Sequence, residues 1–97
     1  MIVEHALLEV KEGQSKAFEA AMKKAQVLIA SSPGFGGIEV RPSADRPNRY
    51  LLRVVWEDIA AHRDGFRKSQ RYQEWCALLH HFYEPMPTIE YFSDSLI

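Results

Sequence analysis

A chain of 97 residues with 46% hydrophobic and 26% charged residues and a net charge of −1 has room for one domain. It carries neither the basic stripe of a nucleic-acid-binding protein nor an apolar run near the ~18 residues of a membrane span, so neither nucleic acid nor membrane is an expected partner. The single cysteine, Cys76, cannot form an intrachain disulfide, and the N-terminus has no signal-peptide pattern, which together predict a cytoplasmic location.

Ile2 to Val10 predicts a strand. Ile2, Ala6, Leu8 and Val10 point one way, interrupted by Glu4, while Val3, His5, Leu7 and Glu9 point the other. Lys11 to Gln14 reads as a turn, with Gly13 free to take positive φ. From Ser15 to Ala30 the residues Phe18, Ala21, Met22, Ala25, Leu28 and Ile29 form one apolar helical stripe. Ser32-Pro33-Gly34 ends that helix. Gly36 to Arg41 predicts a short second strand, Pro42 to Asn48 an exposed hairpin loop, and Arg49 to Trp56 the third strand. Asp58 is placed to cap a helix starting at Ile59. Gly65 weakens that helix, and Ser69 can cap a second segment from Gln70 to about Phe82. Pro85 and Pro87 force an extended exit before a last strand from Thr88 to Phe92. The order β-α-β-β-α-β predicts a ferredoxin-like α+β domain over residues 1–97: a four-stranded antiparallel sheet with both helices on one face.

That arrangement leaves a second sheet face, on which Val3 and Leu7 of the first strand join Leu51 and Val55 of the third. An apolar face of this kind is one that monomers avoid exposing. Packing two sheets face to face with twofold symmetry covers it, so a homodimer is expected.

The stretches Val54-Val55-Trp56-Glu57-Asp58, Phe66-Arg67-Lys68-Ser69-Gln70-Arg71-Tyr72 and Pro87-Thr88-Ile89-Glu90-Tyr91-Phe92 resemble the antibiotic biosynthesis monooxygenase family of the dimeric α+β barrel superfamily. The Val10-Lys11-Glu12-Gly13 and Ser32-Pro33-Gly34-Phe35 turns fit as well, so the resemblance covers nearly the whole chain. It implies oxygenation of a small electron-rich aromatic or quinol with no metal, flavin or other cofactor, in a pocket between the second helix and the sheet. It also implies how this chain differs from the haem-degrading relatives. Their helix Trp falls at Phe66, their haem-ligating His at Cys76, and their strand Asn at Ala6, or at His5 in a register shifted by one. The quinol-oxygenating relatives often carry His where this chain has Phe66. Haem degradation in that manner is therefore not expected.

Within this frame His62 is the candidate general base, one turn before Phe66 and with an ordinary pKa close to working pH. Tyr72 is the second candidate catalytic group. Ala6, Trp56, Phe66, Cys76 and Leu79 are the candidate pocket lining, although apolar stripes at this spacing are usually core. Of the adjacent His80 and His81, which diverge by ~100° on a helix, His81 is expected inside, against the last strand. His5 is expected at the dimer interface, and Trp75 and Phe82 in plain packing. No two histidines show ligand spacing, so no metal site is predicted. Loss of His62 is expected to stop turnover while leaving stability nearly unchanged. The alternative is a non-catalytic small-molecule-binding or structural dimer of the same fold.

Overall fold

A computed structural model covers residues 1–97. Four strands form one antiparallel sheet in the order β2-β3-β1-β4: β1 Ile2–Glu9, β2 Phe35–Pro42, β3 Arg49–Trp56 and β4 Glu90–Phe92. Helix α1, Ser15–Ala30, and helix α2, Gln70–Leu79, cover the same face. This is the ferredoxin-like arrangement read from the sequence. No helix is long and apolar enough to cross a membrane.

The alternation of burial follows the pleat. On β3, Tyr50, Leu52, Val54 and Trp56 are buried beneath the helices. On β1 the inward positions are Glu4, Ala6 and Leu8, followed by Val10 just beyond the strand, and all four are buried. Glu4 therefore does not interrupt the inner face; it belongs to it. Helix α1 contributes Phe18, Met22, Ala25 and Ile29 from its apolar stripe. The opposite face is half open. Leu7 is 40% exposed and Phe92 49% exposed, while Val3, Leu51 and Val55 are partly covered.

The connection between β3 and α2 departs from the expected broken α-helix. Asp58 Oδ1 accepts the Ala61 N–H at 2.8 Å, as a capping residue should. The chain then runs through a π-helical turn, Ala61–Phe66, with Arg67 N–H donating to the His62 carbonyl at 3.0 Å. Ser69 restarts the helix, its hydroxyl accepting the Tyr72 N–H at 3.3 Å. Close packing of this turn depends on Gly34. Its φ is +84°, and a β-carbon there would lie 2.7 Å from the Ala61 β-carbon, so only glycine lets the two turns meet.

Beyond α2, a 3-10 turn over His80–Phe82 leads into a strap that touches the edge of β1 twice. Lys11 N–H donates to the Phe82 carbonyl at 2.8 Å and Glu84 N–H to the Glu9 carbonyl at 3.0 Å. The chain next pairs with β1 at His5↔Glu90, Glu4↔Tyr91 and Val3↔Phe92. The sequence-predicted start of this strand at Thr88 is thus two residues early. Pro85 and Pro87 carry no N–H to donate, and the chain stands off the sheet until Glu90. His81 is also not where the sequence suggests: it is exposed, and His80 is the one that turns inward.

Candidate functional site

The strap, the π-helical turn and α2 enclose a cavity of about 80 Å³ against the sheet. Its floor is Glu4, Leu8 and Leu52 from the strands, with Ile29 from α1. The π-helical turn brings His62 and Phe66, and Arg67 follows directly. Tyr72 and Trp75 come from α2, then His80 and Tyr83 from the 3-10 turn and its exit. Met86, Pro87 and Ile89 of the strap close the outer side. Arg67 and Met86 are exposed, so they form the rim.

His62 is 3% exposed and Glu4 4% exposed. Burial pushes the Glu4 carboxyl above its usual range, against the lowering pull of the Trp56 hydrogen bond and the Arg67 charge. Burial, reinforced by the cations of Arg67 and Arg63, lowers His62 to about 4. The imidazole is therefore neutral at neutral pH. Its Nδ1 lies 2.6 Å from the Tyr91 hydroxyl and its Nε2 lies 3.4 Å from Glu4 Oε1. The same oxygen accepts Trp56 Nε1–H at 2.9 Å. A self-consistent assignment puts the one imidazole proton on Nε2, facing Glu4, and lets Tyr91 donate to Nδ1. Nδ1 of His62 is thus hydrogen-bonded, and its Nε2 faces Glu4 across 3.4 Å. The rings of Trp56, His62 and Phe66 pack as a three-membered cluster, with pairwise centroid separations of 5.5, 6.0 and 6.5 Å.

The wall formed by α2 and the 3-10 turn differs. Tyr72 packs edge-on to Phe66 and to His80, at centroid separations of 5.4 Å and 6.0 Å. His80 in turn meets Tyr83 at 5.7 Å. Burial raises Tyr72 and Tyr83 above the usual phenol range and lowers His80. No hydrogen bond to another side chain holds the His80 imidazole.

Of the sequence-predicted site residues, His62, Tyr72 and Phe66 meet in the cavity wall. Ala6, Trp56, Leu79 and Cys76 do not line it. Ala6 and Leu79 are wholly buried in the core beneath, and Cys76 is partly buried, packed against the core. Trp56 stands behind the wall, donating its indole N–H to Glu4 and packing its ring against His62 and Phe66. Sequence reasoning missed Glu4, Arg67, His80 and Tyr83. For Glu4 the signal was its place on the inward side of β1. For His80 it was the four-residue series Tyr72, Cys76, His80 along one helix stripe. No group of three or more His, Cys, Asp or Glu side chains is arranged to hold a metal ion.

The family model for antibiotic biosynthesis monooxygenases matches residues 1–78. The chain belongs to the antibiotic biosynthesis monooxygenase family. Among curated proteins, the uncharacterized protein YczJ of Bacillus subtilis (strain 168) is 43% identical over 94 residues, which span 97% of this chain and 99% of YczJ. Among solved structures, a Bordetella bronchiseptica protein placed with the same monooxygenases is 32% identical with a TM-score of 0.93, covering 98% of this chain and 97% of its own. SnoaB, a cofactor-independent oxygenase from Streptomyces nogalater, shares the fold with a TM-score of 0.85 at 19% identity, over 99% of this chain and 94% of SnoaB. The antibiotic biosynthesis monooxygenase fold thus spans the whole chain, strap and β4 included.

Proposed function

We propose that this chain is a cofactor-independent monooxygenase acting on a small electron-rich aromatic, a phenol or quinol, in the cavity between the helices and the sheet. The observation that carries this reading is the composition of the wall: aromatic and aliphatic side chains that exclude water, joined by Tyr72, His62 and Glu4. SnoaB, of the same fold, is a cofactor-independent oxygenase. In such a reaction the substrate supplies all the electrons. Losing a hydroxyl proton turns it into an anion that passes an electron to dioxygen. The resulting radical pair combines to form a carbon–oxygen bond. In an anthrone-type substrate the hydroperoxide at the reacting CH₂ then loses water and leaves a carbonyl, so one oxygen atom enters the product and the other becomes water. A dry wall strengthens every interaction with the anion, and Tyr72 is the donor we assign to stabilise it. His62 can act as a direct base only by releasing Tyr91 or Glu4.

The cavity is smaller than the ~150 Å³ that accommodates a benzene ring in an engineered apolar cavity. Substrate entry therefore displaces part of the wall. Met86, exposed on the strap and conformationally adaptable, is the group we assign to give way. The small volume also favours a second reading, a non-catalytic binding or structural dimer. The deciding experiment is oxygen uptake by chelator-treated protein with a panel of anthrones and quinols, measured above the protein-free rate. Uptake with at least one compound supports the enzyme; no uptake with any compound supports the second reading.

We further propose that the active form is a homodimer joined through the outer sheet face, where Leu7, Leu51, Val55 and Phe92 gather. Burying such a patch removes an exposed apolar surface that a monomer would have to keep in water. Sedimentation should return twice the 11.2 kDa chain mass, and Leu7→Lys should shift the protein toward the monomer.

A further inference from the structure

Two features of the cavity are left over once the reaction outlined above is assigned. The first is Arg67. It stands on the rim and has no carboxylate within salt-bridge distance, whereas its neighbour Lys68 pairs with Asp64 at 3.4 Å. The only carboxyl in the wall, Glu4, is committed to Trp56 and His62. Arg67 nevertheless acts inward, its charge lowering Glu4, His62, Tyr72, His80 and Tyr91 alike. The cavity rim thus has a permanent cation with no carboxylate in contact with it. The second feature is His80, half-buried between Tyr72 and Tyr83, with an imidazole that no side chain holds by a hydrogen bond.

We propose that the cavity takes an aromatic acid, Arg67 binding its carboxylate at the rim while the His80 imidazole accepts the proton of its ring hydroxyl. This deepens the oxygenase reading and rests on it for the purpose of the proton transfer. A guanidinium matches a carboxylate with two parallel hydrogen bonds and remains charged at any working pH. A proton acceptor needs a nitrogen not already committed: His80 lines the cavity with no hydrogen bond on its ring, whereas His62 Nδ1 meets the Tyr91 hydroxyl at 2.6 Å and its Nε2 faces Glu4. The step is balanced: the hydroxyl proton moves to a ring nitrogen of His80, and the electron pair stays on the phenolate oxygen, whose charge Arg67 helps to offset. The groups facing His80 are Tyr72 on α2, Tyr83 beyond the 3-10 turn and the Arg67 charge at the rim, with Glu4 and His62 across the cavity.

The test uses para-hydroxycinnamate, which does not react with dioxygen, and its methyl ester, which lacks the charge. The wild-type protein should bind the acid at least about tenfold tighter than the ester, and Arg67→Gln should remove that preference. The bound phenol should show its red-shifted phenolate absorption at a lower pH than the free compound. His80→Gln and His80→Asn should keep the affinity but lose this shift. Equal affinity for acid and ester, or a preference that survives Arg67→Gln, would overturn the carboxylate site. A phenolate shift that persists in both His80 variants would overturn the proton acceptor, and failure to bind either compound would overturn both. Neither readout consumes oxygen. Failure of the oxygen-uptake assay would therefore sink the oxygenase reading and leave this one standing.

Discussion

The two walls of the cavity treat their polar groups in opposite ways. On the side of β1 and the π-helical turn, Glu4, Trp56, His62 and Tyr91 form a closed set: Trp56 donates to Glu4, Tyr91 meets His62 Nδ1, and His62 Nε2 lies 3.4 Å from Glu4. On the side of α2, Tyr72, His80 and Tyr83 meet edge to edge, and His80 is held by no side-chain hydrogen bond. The difference teaches that depth of burial and readiness for chemistry are separate properties. His62 is the most buried histidine and the most strongly perturbed, yet its nitrogens already have work within the fold. The half-buried His80 is held by no side-chain hydrogen bond.

Stability measurements should break the comparison most sharply. His62→Ala removes a buried ring and leaves Glu4 and Tyr91 short of a partner. It should cost about 2–4 kcal/mol in denaturant unfolding, contrary to the sequence expectation of an unchanged melting temperature. His80→Ala should cost less than about 1 kcal/mol, because no side-chain hydrogen bond is lost. Equal losses would erase the distinction between the walls.

A smaller effect should follow pH. The folded-state pKa of His62 lies below its unfolded value of 6.5, at about 4. Below pH 6.5 the unfolded chain therefore takes up a proton that the folded chain refuses. The contribution of His62 is full above that value and is lost as pH falls from 6.5 toward 4. Glu4, raised by burial, works in the opposite sense: its contribution is full below pH 4.5 and declines as pH rises through its folded-state value. Comparison with His62→Gln isolates the histidine. Between pH 7 and pH 5 the wild type should lose on the order of 1–2 kcal/mol relative to that variant. Parallel pH profiles would mean that His62 is not held neutral by its surroundings.

The smallest effect expected is for Tyr91→Phe. It deletes the donor to His62 Nδ1 and keeps the ring, so it should cost about 1 kcal/mol. His62 Nδ1 would then be free, and if the closed set is what keeps His62 from acting on the substrate, this variant should gain a second proton acceptor. A Tyr91→Phe protein with unchanged stability would show that the 2.6 Å contact contributes little.

How much of this was legible in the sequence depends on how local the signal is. Helix α1 over Ser15–Ala30 and strand β3 over Arg49–Trp56 have the boundaries the sequence predicts, because their periodicities are unbroken and their ends carry turn residues. Glu4 reads in sequence as an interruption of β1, since the residue that satisfies it, Trp56, lies 52 positions away. The exchange of roles between His80 and His81 has a local cause. His80 continues the four-residue series of Tyr72 and Cys76 into the 3-10 turn, and His81, one residue on, points to solvent. The candidate lining lies partly outside the cavity. Cys76 and Leu79 share the stripe of Tyr72, but the cavity lies toward Trp75 and the helix exit, and Leu79 sits in the core below it. Arg67 could be seen in the sequence as a charge, though not as one lacking a partner, because partners are a property of the fold.

The central claim, that this cavity oxygenates an aromatic without a cofactor, is tested most directly by isotope. Chelator-treated protein is incubated with an anthrone under dioxygen labelled in both atoms, and the product is read by mass spectrometry against a protein-free control. Product should form faster than in the control, with one labelled oxygen per product and the second label recovered in water. An unlabelled product, or a rate no greater than that of the control across the whole anthrone and quinol panel, would contradict it.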